Sequence, residues 1–74
     1  MTLTQARSRA RDRSRQDGGR TMFVIYDRDE AEEYGRPAWH AVPEETIYSD
    51  PEWNMAAEEF GYELWHNGRM EEAT

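Results

Sequence analysis

Thr21-Met22-Phe23-Val24-Ile25-Tyr26 is a continuous apolar, β-branched and aromatic run, and it constrains the fold more than any other stretch of the chain. A strand with one wet face alternates apolar and polar residues. A run without polar interruption is instead a strand covered on both faces or central in a sheet. Ala38-Trp39-His40-Ala41-Val42 reads as a second, shorter strand, stopped by Pro43, which has no N–H to give a ladder. It returns most simply antiparallel to the first. The acidic connection between them, Asp27 to Pro37, holds a helical turn from Asp29 to Tyr34 closed by Gly35.

A helix is written into Ser49 to Tyr62 with both of its ends. Asp50 is an N-cap residue, and Pro51 behind it is favoured at the first helical position. Ser49 and Glu52 also fit a capping box one residue earlier. Trp53, Ala56, Ala57 and Phe60 recur at i, i+3, i+4 and i+7 and form one apolar stripe. Gly61 is the expected stop, because glycine accepts the left-handed conformation that ends helices. The competing register runs on to His66 with Gly68 as the stop. It leaves Tyr62 and Trp65 off the stripe, so the stop at Gly61 is preferred.

Beyond the helix, Tyr62, Leu64 and His66 alternate with Glu63 and Trp65, as a third strand does. Asn67-Gly68 is a two-residue hairpin signal. It pairs Trp65 with Met70, which is favourable, and Glu63 with Glu72, which is not. Glu44 to Tyr48 reads as a connection or weak strand. The expected fold is α+β: a small antiparallel sheet in the order of elements β-β-α-β, with a fourth short edge strand at Arg69-Met70-Glu71 and one helix packed on one face. Met22, Val24, Trp39 and Leu64 supply the sheet's share of the core.

A chain of 74 residues makes at most one small domain. It has no cysteine, so neither a disulfide nor a thiolate metal site can staple it. Leu, Ile, Val and Phe together number eight, and the net charge is −7, a combination that favours disorder. Nine aromatic residues, spread from Phe23 to Trp65, oppose it, since each buries more area than an aliphatic side chain. The expectation is an ordered acidic domain over residues 21–70 and a frayed tail over 71–74. Residues 1–20 form a separate block. Arg7, Arg9, Arg11, Arg13 and Arg15 fall at every second position, which scatters their charges around a helix, and Arg20 follows Gly18-Gly19. With Met1, Leu3, Ala6 and Ala10 as its only apolar residues, this block reads as a disordered arm ending in a Gly-Gly hinge. No apolar run approaches a membrane span, and no apolar segment of a signal peptide is present. The expectation is a cytoplasmic protein that does not engage the membrane.

Assembled catalytic chemistry is not legible. His40 and His66 are the two histidines, and carboxylates are so abundant that proximity to one carries no metal or acid–base signal. Two of the three serines lie in the arm, and Ser49 reads as a cap, so no Ser-His-Asp arrangement is supported. No glycine-rich phosphate loop precedes a helix. No enzyme activity, cofactor or metal is expected. Charge segregation is the informative feature: residues 1–20 carry six Arg and two Asp, and residues 21–74 carry three Arg against fourteen Asp and Glu. That pattern suits a small non-enzymatic interaction module, an inhibitor or regulator whose acidic body meets a basic surface of a protein or nucleoprotein complex. By size and charge alone it is analogous to phage-type inhibitors that occupy nucleic-acid sites. The expected contacts are Glu32, Glu33, Tyr34, Glu58 and Glu59, on the acidic connection and the outer helix face. The alternative is a nucleic-acid-binding accessory protein that uses Arg7, Arg9, Arg11, Arg13, Arg15 and Arg20 on phosphates.

Overall fold

β1 (Met22–Tyr26) is the inner strand on which the fold is built, paired antiparallel on both edges. In the computed structural model, which describes residues 1–16 and 19–74, its neighbours are β2 (Trp39–Pro43) and β3 (Glu63–His66). β4 (Arg69–Ala73) closes the order β2-β1-β3-β4. Val24 lies opposite Ala41 and Glu63, and Phe23 opposite Val42 and Leu64. The four helices of the described residues are α1 (Leu3–Arg15), α2 (Arg28–Tyr34), α3 (Glu44–Ser49) and α4 (Pro51–Phe60). The class is α+β with an antiparallel sheet, as expected from the sequence, but both faces of the sheet carry helices.

The pleat of β1 divides the core in two. Met22 and Val24 point to one face, where they bury with Ala6 and Ala10 of α1 among Leu3, Trp39, Ala41 and Trp65. Phe23 and Ile25 point to the other, where Ile25, Val42, Ile47 and Ala57 form a second cluster with Trp53, Ala56 and Tyr62 around it. The run without polar residues therefore reflects a strand whose two faces are both covered.

α1 is the main departure from the sequence reading, which has a disordered arm over residues 1–20. Ala6, Ala10 and Ser14 recur every fourth residue and are fully buried against the sheet, so the helix has a face to bury after all. That face is small-residued. Large apolar side chains on the sheet, Met22, Val24, Trp39 and Trp65, meet it, and Leu3 at the helix start packs on the same cluster. The helix start is a capping box: Thr2 Oγ1 accepts from Gln5 N at 3.2 Å, and Gln5 Oε1 accepts from Thr2 N at 2.9 Å. Arg13 and Arg15 lie in the last turn, where cations suit the helix dipole. Polar ties hold the face in place. Arg7 Nε donates to both Glu63 carboxylate oxygens at 3.0 Å, and Ser14 Oγ accepts from Gly68 N at 2.8 Å. The expected Gly18-Gly19 hinge lies partly on residues 17 and 18, outside the described residues.

α4 follows its sequence signals. The Asp50 side chain accepts from Glu52 N, Pro51 opens the helix, and Gly61 N donates to Ala57 O at the stop. Gly61 takes φ 83° and ψ −178°, a conformation that side-chain-bearing residues avoid. Ser49 is the last residue of α3, so the cap is Asp50 alone. Glu44 to Ser49, expected as a connection or weak strand, is helical: Pro43 breaks the strand, Glu44 and Glu45 suit the N-terminal dipole, and Ile47 buries. Phe60 differs from its expected core role; it is 40% exposed, edge-on to Tyr26.

The β3–β4 hairpin turns at Asn67-Gly68, with φ 53° and 78°. Trp65 pairs with Met70 as expected. A register shift between Leu64 and Trp65 then sets Glu72 opposite Leu64 and Ala73 opposite Glu63. The bulge removes the unfavourable Glu63–Glu72 pairing that a regular ladder imposes. Residues 71–73, expected as a frayed tail, thus belong to β4, and Thr74 N donates to Tyr62 O at 2.9 Å.

Candidate functional site

α1 and the pair α3–α4 carry opposite charge on opposite faces of the sheet. α1 has five arginines and one aspartate. α2, α3 and α4 together have nine acidic side chains and Arg28. α3 and α4 occupy the face opposite α1, and α2 links the end of β1 to the start of β2. The charge segregation of the sequence is therefore a segregation in space.

A groove of about 310 Å³ lies between the start of α2 and the outer side of α4. Trp53, Met55, Ala56 and Phe60 give it an apolar floor, and Asp27, Asp29, Glu52 and Glu59 ring it. Met55 is 66% exposed, the largest exposure of any apolar residue in the groove. Arg28 is the one cation in the ring. It is held by Glu59 at 3.4 Å and Glu32 at 3.9 Å, and its guanidinium lies 5.2 Å from the centre of the Phe60 ring. Its charge is thereby matched locally, and the groove remains acidic. α4 can present this surface because Trp53, Ala56 and Ala57 turn toward the sheet, which leaves Glu52, Met55 and Glu59 on its flank.

The residues expected as contacts are divided by this geometry. Glu59 lines the groove, and Glu32 approaches it through Arg28. Glu33, Tyr34 and Glu58 are exposed but lie outside the groove lining. The Tyr34 ring stacks under Arg36, with 5.4 Å from the guanidinium to the ring centre. Asp27, Asp29, Glu52 and Met55 line the groove but are not among the contacts expected from the sequence. Met55 had a signal: it is an apolar residue off the Trp53-Ala56-Ala57-Phe60 stripe with glutamates at positions 52, 58 and 59 around it.

The arginines of the alternative reading are also divided. Arg7 is bound to Glu63, Arg11 lies 3.5 Å from Asp12, and Arg20 pairs with Glu45. The Arg7 guanidinium hydrogen bonds hold the Glu63 carboxyl below the usual carboxylate range, against the opposing effect of burial. Arg20 does the same to Glu45. Arg9 and Arg13 are exposed one helical turn apart, without an ion-pair partner among the described residues, and Arg15 packs against the Asn67-Gly68 turn.

The histidines are placed differently from each other. His66 Nδ1 is 3.2 Å from Thr21 Oγ1. His40 Nε2 is in direct contact with Glu30 Oε2, and the His40 ring is edge-on to Trp53 with centroids 5.2 Å apart. Asp27, which caps α2 by accepting from Glu30 N at 3.1 Å, stands beside this pair. No helix among the described residues is long and apolar enough to cross a membrane. No protein family, curated protein or solved structure matches this chain.

Proposed function

We propose that the protein is a non-enzymatic interaction module that presents its α2–α4 side to a basic surface on a protein or nucleoprotein complex, as an inhibitor or regulator. The observation that supports this reading is the groove in which exposed Met55 and Phe60 and half-buried Trp53 are ringed by Asp29, Glu52 and Glu59. Apolar residues supply contact energy, with aromatic side chains prominent among interface hot spots. The acidic ring supplies steering and selects a cationic partner. A floor of this composition fits lysine- or arginine-bearing polypeptide with apolar side chains of its own. Duplex nucleic acid is repelled by the same ring.

The rival reading uses α1, whose Arg9 and Arg13 project from the opposite side. Deleting the segment does not separate the two readings, because α1 covers one face of the core. Charge reversal does. Asp29→Arg with Glu52→Arg and Glu59→Arg is expected to abolish recovery of the partner from native extract and to slow association measured with the recovered partner. Arg9→Glu with Arg13→Glu is expected to leave both within a few fold. Wild-type association should weaken as salt rises, since the Debye length contracts to about 8 Å at physiological ionic strength. Loss of binding in the arginine variant, with the acidic variant unaffected, would transfer the activity to α1 and to phosphate contacts.

A further inference from the structure

Asp27 and Glu30 come from the start of α2, as its N-cap and a residue of its first turn, and His40 comes from β2. One ligand atom from each lies within 4.8 Å of the other two, and all three residues are partly buried. Each is oriented by something other than an ion. Asp27 Oδ1 accepts from Glu30 N at 3.1 Å, which fixes the carboxylate and leaves its second oxygen available. Glu30 sits on that same helical turn and reaches β2, where Oε2 meets His40 Nε2. The His40 ring is held edge-on to Trp53 at an interplanar angle of 64°. The backbone under His40 is tied into the ladder opposite Ile25.

The geometry points to a binding site for one divalent first-row transition-metal ion, of the Zn²⁺ and Co²⁺ type, held by Asp27, Glu30 and His40. The donor set decides the class. Mg²⁺ and Ca²⁺ take oxygen ligands, Ca²⁺ at six or more positions, whereas an imidazole nitrogen beside two carboxylates suits a borderline cation. The ion enters between Glu30 Oε2 and His40 Nε2, which part until each is about 2.0–2.2 Å from it, and Asp27 completes a three-residue set. Any proton shared between Glu30 and His40 is released to solvent as the ion binds. Water fills the remaining coordination position. The consequence is structural: the ion clips α2 to β2 in a small domain that has no disulfide to staple it. Asp27 also lines the groove, so a bound cation lowers the negative charge at that end of it.

Calorimetric titration of the chelator-treated full chain with ZnCl₂, CoCl₂ and MgCl₂ tests it. The expected result is one equivalent of Zn²⁺ or Co²⁺ per chain, none of Mg²⁺ under the same conditions, and a Tm raised by the bound ion. Zn²⁺ should shift the Nε2 resonance of His40 in ¹⁵N spectra and leave His66 unmoved. Asp27→Asn preserves an N-cap of similar quality while removing one charged ligand, so it should keep the fold and weaken binding by about tenfold or more. His40→Ala should remove binding, and His66→Ala should not. If His40→Ala fails to fold, Asp27→Asn and the His40 nitrogen shift decide the matter. An intact protein that takes up neither Zn²⁺ nor Co²⁺ overturns the assignment. So do several weak equivalents insensitive to Asp27→Asn, which are an ion atmosphere over the acidic helices.

Discussion

Ala10→Leu distinguishes a docked α1 from a mobile arm. Ala10 is 0% exposed, and its methyl group meets the sheet where Met22 and Val24, also 0% exposed, come up from β1. Leucine and alanine are both good helix formers, so the substitution changes little in a helix that touches nothing. In the docked helix three additional carbon atoms have no space. Overpacking of a filled core costs about 1–3 kcal/mol. With a urea m-value of about 1–2 kcal/mol per molar for so small a domain, the midpoint should fall by roughly 0.5–3 M. Ser8→Leu, two residues away on the exposed side, is the control and should stay within about 0.5 kcal/mol of wild type. Trp39 and Trp65 pack against the same cluster, so tryptophan fluorescence reports the interface directly. Heteronuclear relaxation of the intact protein gives a second reading, with rigid amides expected over Leu3–Arg15. Equal midpoints for Ala10→Leu and wild type, together with mobile amides over that range, would refute the docking and restore a disordered arm.

Phe60→Ala should cost about 1–2 kcal/mol, because the ring is already 40% exposed, whereas Ile25→Ala should cost about 2–5 kcal/mol from a fully buried position. Denaturant midpoints that reverse this order would place Phe60 in the core. Gly61→Ala should destabilise by about 1–3 kcal/mol from backbone strain alone. Its new methyl group also meets the Thr74 carbonyl, so weaker amide protection at Thr74 and Tyr62 should accompany the loss; unchanged stability would mean that this turn is not held at φ 83°. The Arg7–Glu63 pair lowers the folded-state value of Glu63, so its stabilisation is complete above the ordinary carboxylate range and disappears as pH falls through the lowered value. Arg7→Ala should flatten that part of the acid limb, and equal stability-versus-pH slopes for variant and wild type would count against the pair.

The ends of α4 and the hairpin turn are legible because a residue type there answers a backbone demand, whereas the Thr2 capping box of α1 and the Asp27 cap of α2 are not picked out without an apolar stripe beside them. Asp50-Pro51 and Gly61 fix the ends of α4 because a cap, a preset φ and a positive φ are properties of those residues alone. Asn67-Gly68 sets the hairpin for the same reason. The unbroken apolar run of β1 requires cover on both faces, and it has it. The acidity of the body is likewise independent of fold. The acidic segments expected to carry contacts are exposed, although only Glu59 of the five chosen residues lines the groove.

What the sequence by itself determined, then, is the main run of each strand, the two ends of α4 and the Asn67-Gly68 turn, and that the chain divides into a basic block and an acidic one. Tertiary structure decided how the basic block is used. Ala6, Ala10 and Ser14 carry too little apolar surface to mark a buried face, and they bury because small side chains let a helix approach the large ones of the sheet. The stabilising area sits on Met22, Val24, Trp39 and Trp65, at a distance in sequence that local periodicity does not register. The bulge at Leu64–Trp65 depends on both strands of the hairpin together, and the meeting of Asp27 and Glu30 with His40 depends on the register of β1 against β2. Each is a relation between segments, fixed by packing and pairing across the sheet rather than by any residue's own preference.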